Sequence, residues 1–152
     1  MNAIDGIFYV AILIMSVVIH EVSHGFMALY YGDNTAKDSG RLTINPLVHL
    51  DIFGSVLLPA FLYFTTGFAF GWAKPVPYNP NNLRDRKWGS IWVAAAGVLA
   101  NLFIAVLFGL ILRFAFGYDV PEKFVLIMSS IVFINLALAL FNLVPIPPLD
   151  GS

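Results

Sequence analysis

The chain has 152 residues, room for one domain, and is 59% apolar but only 11% charged, where soluble domains carry about 25% charged residues. Its bulk therefore belongs in a lipid bilayer, as its mean hydropathy of +0.83 also indicates. A net charge of −1 leaves no basic surface to neutralise a run of phosphates, which excludes nucleic acid as a partner. With no cysteine, a disulfide is impossible and any metal must be held by His, Asp or Glu.

Residues 4–30 form the first apolar run, interrupted by Asp5 and by a polar cluster at 20–24, and can span about 30 Å of hydrocarbon. The run lacks the basic start and A-x-A site of a secretory signal, so it is read as a helix of the mature protein. Residues 31–51 are polar and carry the breakers Gly32, Gly40 and Asn45-Pro46, which predicts a loop with room for a short hairpin. Residues 52–70 are apolar again but contain Gly54, Pro59 and Gly67, a pattern that fits one span or a bent re-entrant pair. Residues 71–90 hold Lys74, Arg84, Arg86 and Lys87, and the prolines from Pro75 to Pro80 predict an extended segment. A third apolar run covers 91–116, opening with small residues that permit close helix approach, and a fourth covers 124–144. Three prolines then precede Asp150-Gly151. Trp72, Trp88 and Trp92 read as interfacial anchors and the phenylalanines as lipid contacts.

The polar cluster is His20-Glu21-Val22-Ser23-His24. Positions four apart on a helix share a face, so both histidines can aim a ring nitrogen at one ion, with Glu21 placed to take a proton from water. HExxH arises by chance in soluble helices, but ionisable groups in mid-membrane cost about 2.5–3.5 kcal/mol each on insertion scales and mark function there. With both histidines neutral, the charges of Zn²⁺, Glu21 and one more carboxylate sum to zero. A catalytic zinc uses three protein ligands and keeps a fourth position open. Of the other carboxylates, only Asp150 lies directly beyond an apolar helix in a proline-rich turn. Alone it reads as an ordinary Asp-Gly turn; beside HEVSH it becomes the preferred third ligand. His49, in a polar loop with no spacing partner, reads as a surface residue.

These residues resemble the site-2 protease family of intramembrane zinc metallopeptidases. The matching stretches are HEVSH (20–24), AAGVLANLF (95–103) and NLVPIPPLDG (142–151). GDNTAKDSGRLTINPLVHLD and FGWAKPVPYNPNNLR further resemble its compact, mostly prokaryotic branch without PDZ modules. The resemblance implies one zinc per chain on His20, His24 and Asp150, with Glu21 as catalytic base. It also implies that Asn101, in the pattern Gly97-x-x-x-Asn101, lies near bound substrate; Val98 stands where that pattern usually has proline. Asn142 is a second candidate for holding substrate, or else a packing amide between helices. The resembling proteins continue into a further hydrophobic helix beyond residue 152, so a single metallopeptidase core truncated at its C-terminus is expected.

If HEVSH and Asp150 share one zinc, the helices carrying them run in the same direction and the helix of Gly97 and Asn101 runs oppositely. Residues 31–90 then leave and return on one side, which makes 52–70 re-entrant or a hairpin. Lys37, Arg41, Lys74, Arg84, Arg86 and Lys87 fall on that side against Arg113 and Lys123 on the other, which points the site toward the cytoplasm. The expectation is an all-α integral membrane protein with three core transmembrane helices, a re-entrant segment and extended loops. It would sit in a prokaryotic plasma membrane and cleave transmembrane protein substrates. The rival readings are an inactive membrane adaptor that keeps the fold and a zinc-binding carrier.

Overall fold

The computed structural model describes residues 3–66, 73–144 and Asp150, and every regular element among them is helical. Helix α1 covers Ala3–Tyr30; the one-turn helices α2 (Thr35–Asp38) and α3 (Pro46–His49) follow. A π-helical turn, Ile52–Leu57, runs into α4 (Leu58–Thr66). A 3-10 turn at Pro80–Asn82 precedes the long helices α5 (Arg86–Ala115) and α6 (Glu122–Asn142).

Three stretches are long and apolar enough to cross a membrane: Gly6–Tyr30, Arg86–Ala115 and Glu122–Asn142, of 25, 30 and 21 residues. At 1.5 Å per residue these reach about 38, 45 and 32 Å, against about 30 Å of hydrocarbon. α5 begins earlier than its apolar run because the Asp85 side chain accepts the Trp88 N–H at 2.9 Å and caps the helix.

Side-chain pairs give the helix directions. His24 meets Val93 and His20 meets Asn101, so α1 and α5 are antiparallel. Ser16 meets Asn135 while His20 and His24 meet Asp150, so α1 and α6 are parallel. The end of α1 and the start of α5 therefore share one end of the bundle, and residues 31–85 leave and return there, as the expected topology requires.

Where the helices touch, most buried apolar residues are small: Val18, Val22 and Ala28 on α1, Val93, Ala96 and Ala105 on α5, and Ala139 on α6 beside the larger Ile134. Small side chains let helix backbones approach where packing rather than water drives association. The outward faces carry exposed Phe8, Phe103, Phe114, Phe133 and Phe141, with Trp88 and Trp92 near the start of α5. So continuous an apolar exterior suits lipid and not water. Trp72 lies outside the described residues.

The 52–66 helical segment lies against none of the other described helices. Its 15 residues reach only about 22 Å, short of a full crossing. The rest of the 52–70 segment falls outside the described residues.

The loops are more built than their composition suggests. α1 ends at Gly32, whose φ of +104° only glycine adopts readily. The Gly32 N–H returns to the Leu29 carbonyl and the Asp33 N–H to Ala28, the paired closure of a Schellman motif. This turn delivers Asp33 to a fully buried position. Its Oδ1 accepts from the Thr35 N–H (3.1 Å), the Thr35 hydroxyl and Asn82 Nδ2 (2.9 Å), and its Oδ2 accepts the Asn79 N–H at 2.6 Å. Burial alone would raise the Asp33 carboxyl, but the bonds from Thr35, Asn79 and Asn82 hold it below its ordinary value of 3.8. A depressed folded value gives stability that is fully present above about pH 4 and lost as pH falls through it. Asp33→Ala is expected to cost about 1–3 kcal/mol in detergent unfolding at neutral pH, because four part-buried hydrogen bonds lose their shared acceptor. The gap to the parent should narrow below pH 4; a constant gap down to pH 2 would count against the charged form as the one that matters.

Two expectations are corrected here. Residues 31–51 hold the helices α2 and α3 instead of a hairpin, since Asn45 caps Pro46 through the Leu47 N–H at 3.1 Å. His49 is not on the surface: it is 1% exposed. Its Nε2 donates to the Thr43 carbonyl at 2.8 Å, and its own carbonyl accepts the Lys74 N–H at 2.8 Å. This folds the 41–50 loop against residues 73–79, a long-range pairing that local polarity could not reveal.

Candidate metal centre

Four-residue spacing puts Ser16, His20 and His24 on the face of α1 turned toward the other long helices, and all three are buried. α5 lies against this face with Gly97 directly over the two rings. A Cβ there would sit 2.5 Å from His24 Nε2, 2.6 Å from His20 Cε1 and 2.7 Å from His20 Nδ1. Glycine thus lets the α5 backbone lie directly against two imidazoles.

The histidine Nε2 atoms are 3.1 Å apart, with the rings nearly perpendicular at 84°. His24 Nδ1 lies 2.6 Å from the Val93 carbonyl. A carbonyl can only accept, so Nδ1 carries the proton and the Nε2 lone pair is free for a cation. Asp150, half-buried beyond α6, places Oδ2 2.8 Å from His20 Nε2 and 3.2 Å from His24 Nε2. Burial would raise the Asp150 carboxyl, but the two imidazoles beside it hold it well below the usual carboxylate range.

The donor set fits zinc. His20, His24 and Asp150 each offer one ligand atom, all within 4.8 Å of one another. Tetrahedral ligands at about 2.0–2.1 Å from zinc lie roughly 3.3 Å apart, so the trio needs to spread by only a few tenths of an ångström. Asp150 Oδ2 is buried without a hydrogen bond of good geometry, an orphan that a cation would satisfy.

Glu21 lies half-buried next to this trio in sequence, with its Oε2 accepting the Val76 N–H at 3.0 Å. The 73–79 segment is thereby tied to the histidine helix. Gly25 makes room for it: a Cβ there would meet Leu42 Cδ2 at 2.6 Å and Val76 Cγ1 at 2.8 Å.

The two asparagines occupy different places. Asn142 is half-buried, and its Nδ2 donates to the Leu138 carbonyl of its own helix at 3.0 Å. With Asp150, Tyr78, Ser90, Ala94 and Val98 it lines an open groove of about 540 Å³. Asn101 is fully buried behind the ligands, with Nδ2 3.1 Å from His20 Nδ1.

One polar pair escaped the reading of the sequence. Asn135 Nδ2 donates to Ser16 Oγ and to the Ile131 carbonyl, both at 2.9 Å, joining α6 to α1 one turn before His20. The signal was available, since a lone amide within an apolar membrane helix faces the bundle interior.

The chain is similar to proteins of bacterial origin named as zinc metalloproteases. A Bacillus subtilis protein named "Putative zinc metalloprotease YwhC" is 39% identical over 150 residues, covering 95% of this chain and 65% of the relative. Two further relatives are each named "Putative zinc metalloprotease Rip2". The one from Mycolicibacterium smegmatis is 33% identical, covering 96% of this chain and 56% of its own. The one from Mycobacterium tuberculosis is 29% identical, covering 98% of this chain and 57% of its own. The chain thus spans between about half and two thirds of the length of these relatives. No family model matches it, and no solved structure does.

Proposed function

We propose that this chain is the core of a zinc metalloprotease of the site-2 type, hydrolysing peptide bonds in or near transmembrane helices of membrane-protein substrates. The observation that carries the reading is the meeting of His20 Nε2, His24 Nε2 and Asp150 Oδ2 inside a bundle of membrane-length helices. The names of the relatives agree with it.

His20, His24 and Asp150 would hold one zinc, which when bound polarises a carbonyl and lowers the pKa of water. Glu21 takes the proton of the attacking water and returns it to the leaving amine. Its carboxylate also fixes the 73–79 segment through Val76, so the base and the wall of the site are positioned together. A helical substrate shields its own peptide bonds and must unwind locally before attack. Asn142, on the groove that reaches Asp150, is placed to hold the freed backbone.

The basic residues Lys37, Arg41, Lys74, Arg84, Arg86 and Lys87 all lie between α1 and the first turn of α5. By the positive-inside rule this end faces the cytoplasm of a prokaryotic plasma membrane. An inactive adaptor would have no need of an intact His, Glu, His and Asp set. A metal carrier would leave unexplained a glutamate placed beside the two histidines to activate water.

The test is cleavage of a model transmembrane substrate by the purified chain in detergent or liposomes. Chelation is expected to abolish cleavage and added zinc to restore it. Cleavage that continues at the same rate after the metal is removed would end the proposal.

A further inference from the structure

The two histidines are held from behind in different ways. For His24 the partner of Nδ1 is a backbone carbonyl, which permits only one tautomer. For His20 the partner is the Asn101 side-chain amide, whose two ends are nearly the same shape but opposite in role.

With the NH₂ turned to His20, Nδ1 must be bare and the proton sits on Nε2. That proton then faces His24 Nε2, 3.1 Å away, and His20 has no lone pair to give a cation. With the amide oxygen turned to His20, Nδ1 carries the proton and Nε2 is free. Asn101 Oδ1 is buried and lacks a hydrogen bond when the NH₂ faces the ring; the rotation gives that oxygen the Nδ1 proton and leaves the NH₂ as the unpartnered end. The surroundings are fixed: Asn101 is fully buried, and Gly97 one turn earlier on the same face already touches the ring.

We propose that Asn101 is a positioning residue that sets the His20 tautomer, its amide oxygen accepting the Nδ1 proton and so presenting the Nε2 lone pair to the metal. The inference rests on the zinc reading given above. It departs from the expectation that Asn101 contacts substrate.

The test is zinc affinity by competition with a chromophoric chelator, measured on the purified full chain in detergent, with circular dichroism to check folding. Asn101→Leu keeps the branching and the number of side-chain heavy atoms, is bulkier, and has no acceptor. Asn101→Asp offers oxygens that accept from Nδ1. Loss of an outer partner of a metal-binding histidine weakens binding about 10–100-fold. That loss is expected for Asn101→Leu, while Asn101→Asp stays within about 3-fold of the parent, a far smaller change than such a loss. Parental affinity in a folded Leu variant would overturn the assignment, and so would an equal loss in both variants. If Asn101→Leu does not fold, Asn101→Asp decides alone: retained affinity supports the assignment and a loss beyond 10-fold overturns it. A parent that binds no zinc would instead remove the metal reading itself.

Discussion

Glu21→Gln is expected to bind zinc as tightly as the parent and to cleave a transmembrane substrate about 10²–10⁴-fold more slowly, the usual contribution of a general base. Glutamine keeps the length of the side chain and an oxygen that can accept the Val76 N–H, so the 73–79 segment stays in place. What it cannot do is take a proton. The comparison therefore separates the chemistry of the carboxylate from its architectural bond. Single-turnover cleavage at a fixed zinc content is the measurement. A parental rate in the variant would show that Glu21 only anchors the segment, whereas loss of zinc together with activity would show that the tether matters to the ligand set.

Asp150→Ala should remove stoichiometric zinc, and cleavage with it. Two histidines on one helix turn remain, but a catalytic site needs three protein ligands, and the charge of the bound cation would be left with Glu21 alone to balance it. The loss should exceed the 10–100-fold expected for an outer partner. Metal analysis after dialysis reads it directly, with Asp119→Ala as a control far from the trio in sequence. Zinc retained at one per chain in Asp150→Ala would dismiss the third ligand.

The parts of this protein readable in its sequence are those written in side-chain chemistry against an apolar background. His20, Glu21 and His24 stand out because lipid makes ionisable groups costly. Asp150 stands out because it alone among the carboxylates follows an apolar helix in a proline-rich turn. The direction of the helices followed from requiring those residues to meet. What stayed hidden is carried by the backbone or by distant pairings. The Val76 N–H on Glu21 and the Val93 carbonyl on His24 leave no mark on residue type. Gly97 is marked in the sequence by the pattern Gly97-x-x-x-Asn101, but only the structure shows that its missing Cβ makes room for two imidazoles. His49 looked solvated because its loop is polar, while its burial depends on Lys74 far along the chain. Asn101 was placed near substrate by resemblance, and the structure sets it against His20.

The parallel course of α1 and α6 has a consequence for biogenesis. Both histidines leave the ribosome before Asp150, which follows His24 by 126 residues. At about 5–20 residues per second that interval is roughly 6–25 s. Through that time the nascent chain carries a histidine pair with no third ligand. The trio can meet only when α6 has inserted beside α1, with the Ser16–Asn135 bond joining the two. If the proposed function holds, a chain stalled or misinserted before that point would hold no working centre, and the arrival of α6 beside α1 would be the step that arms it.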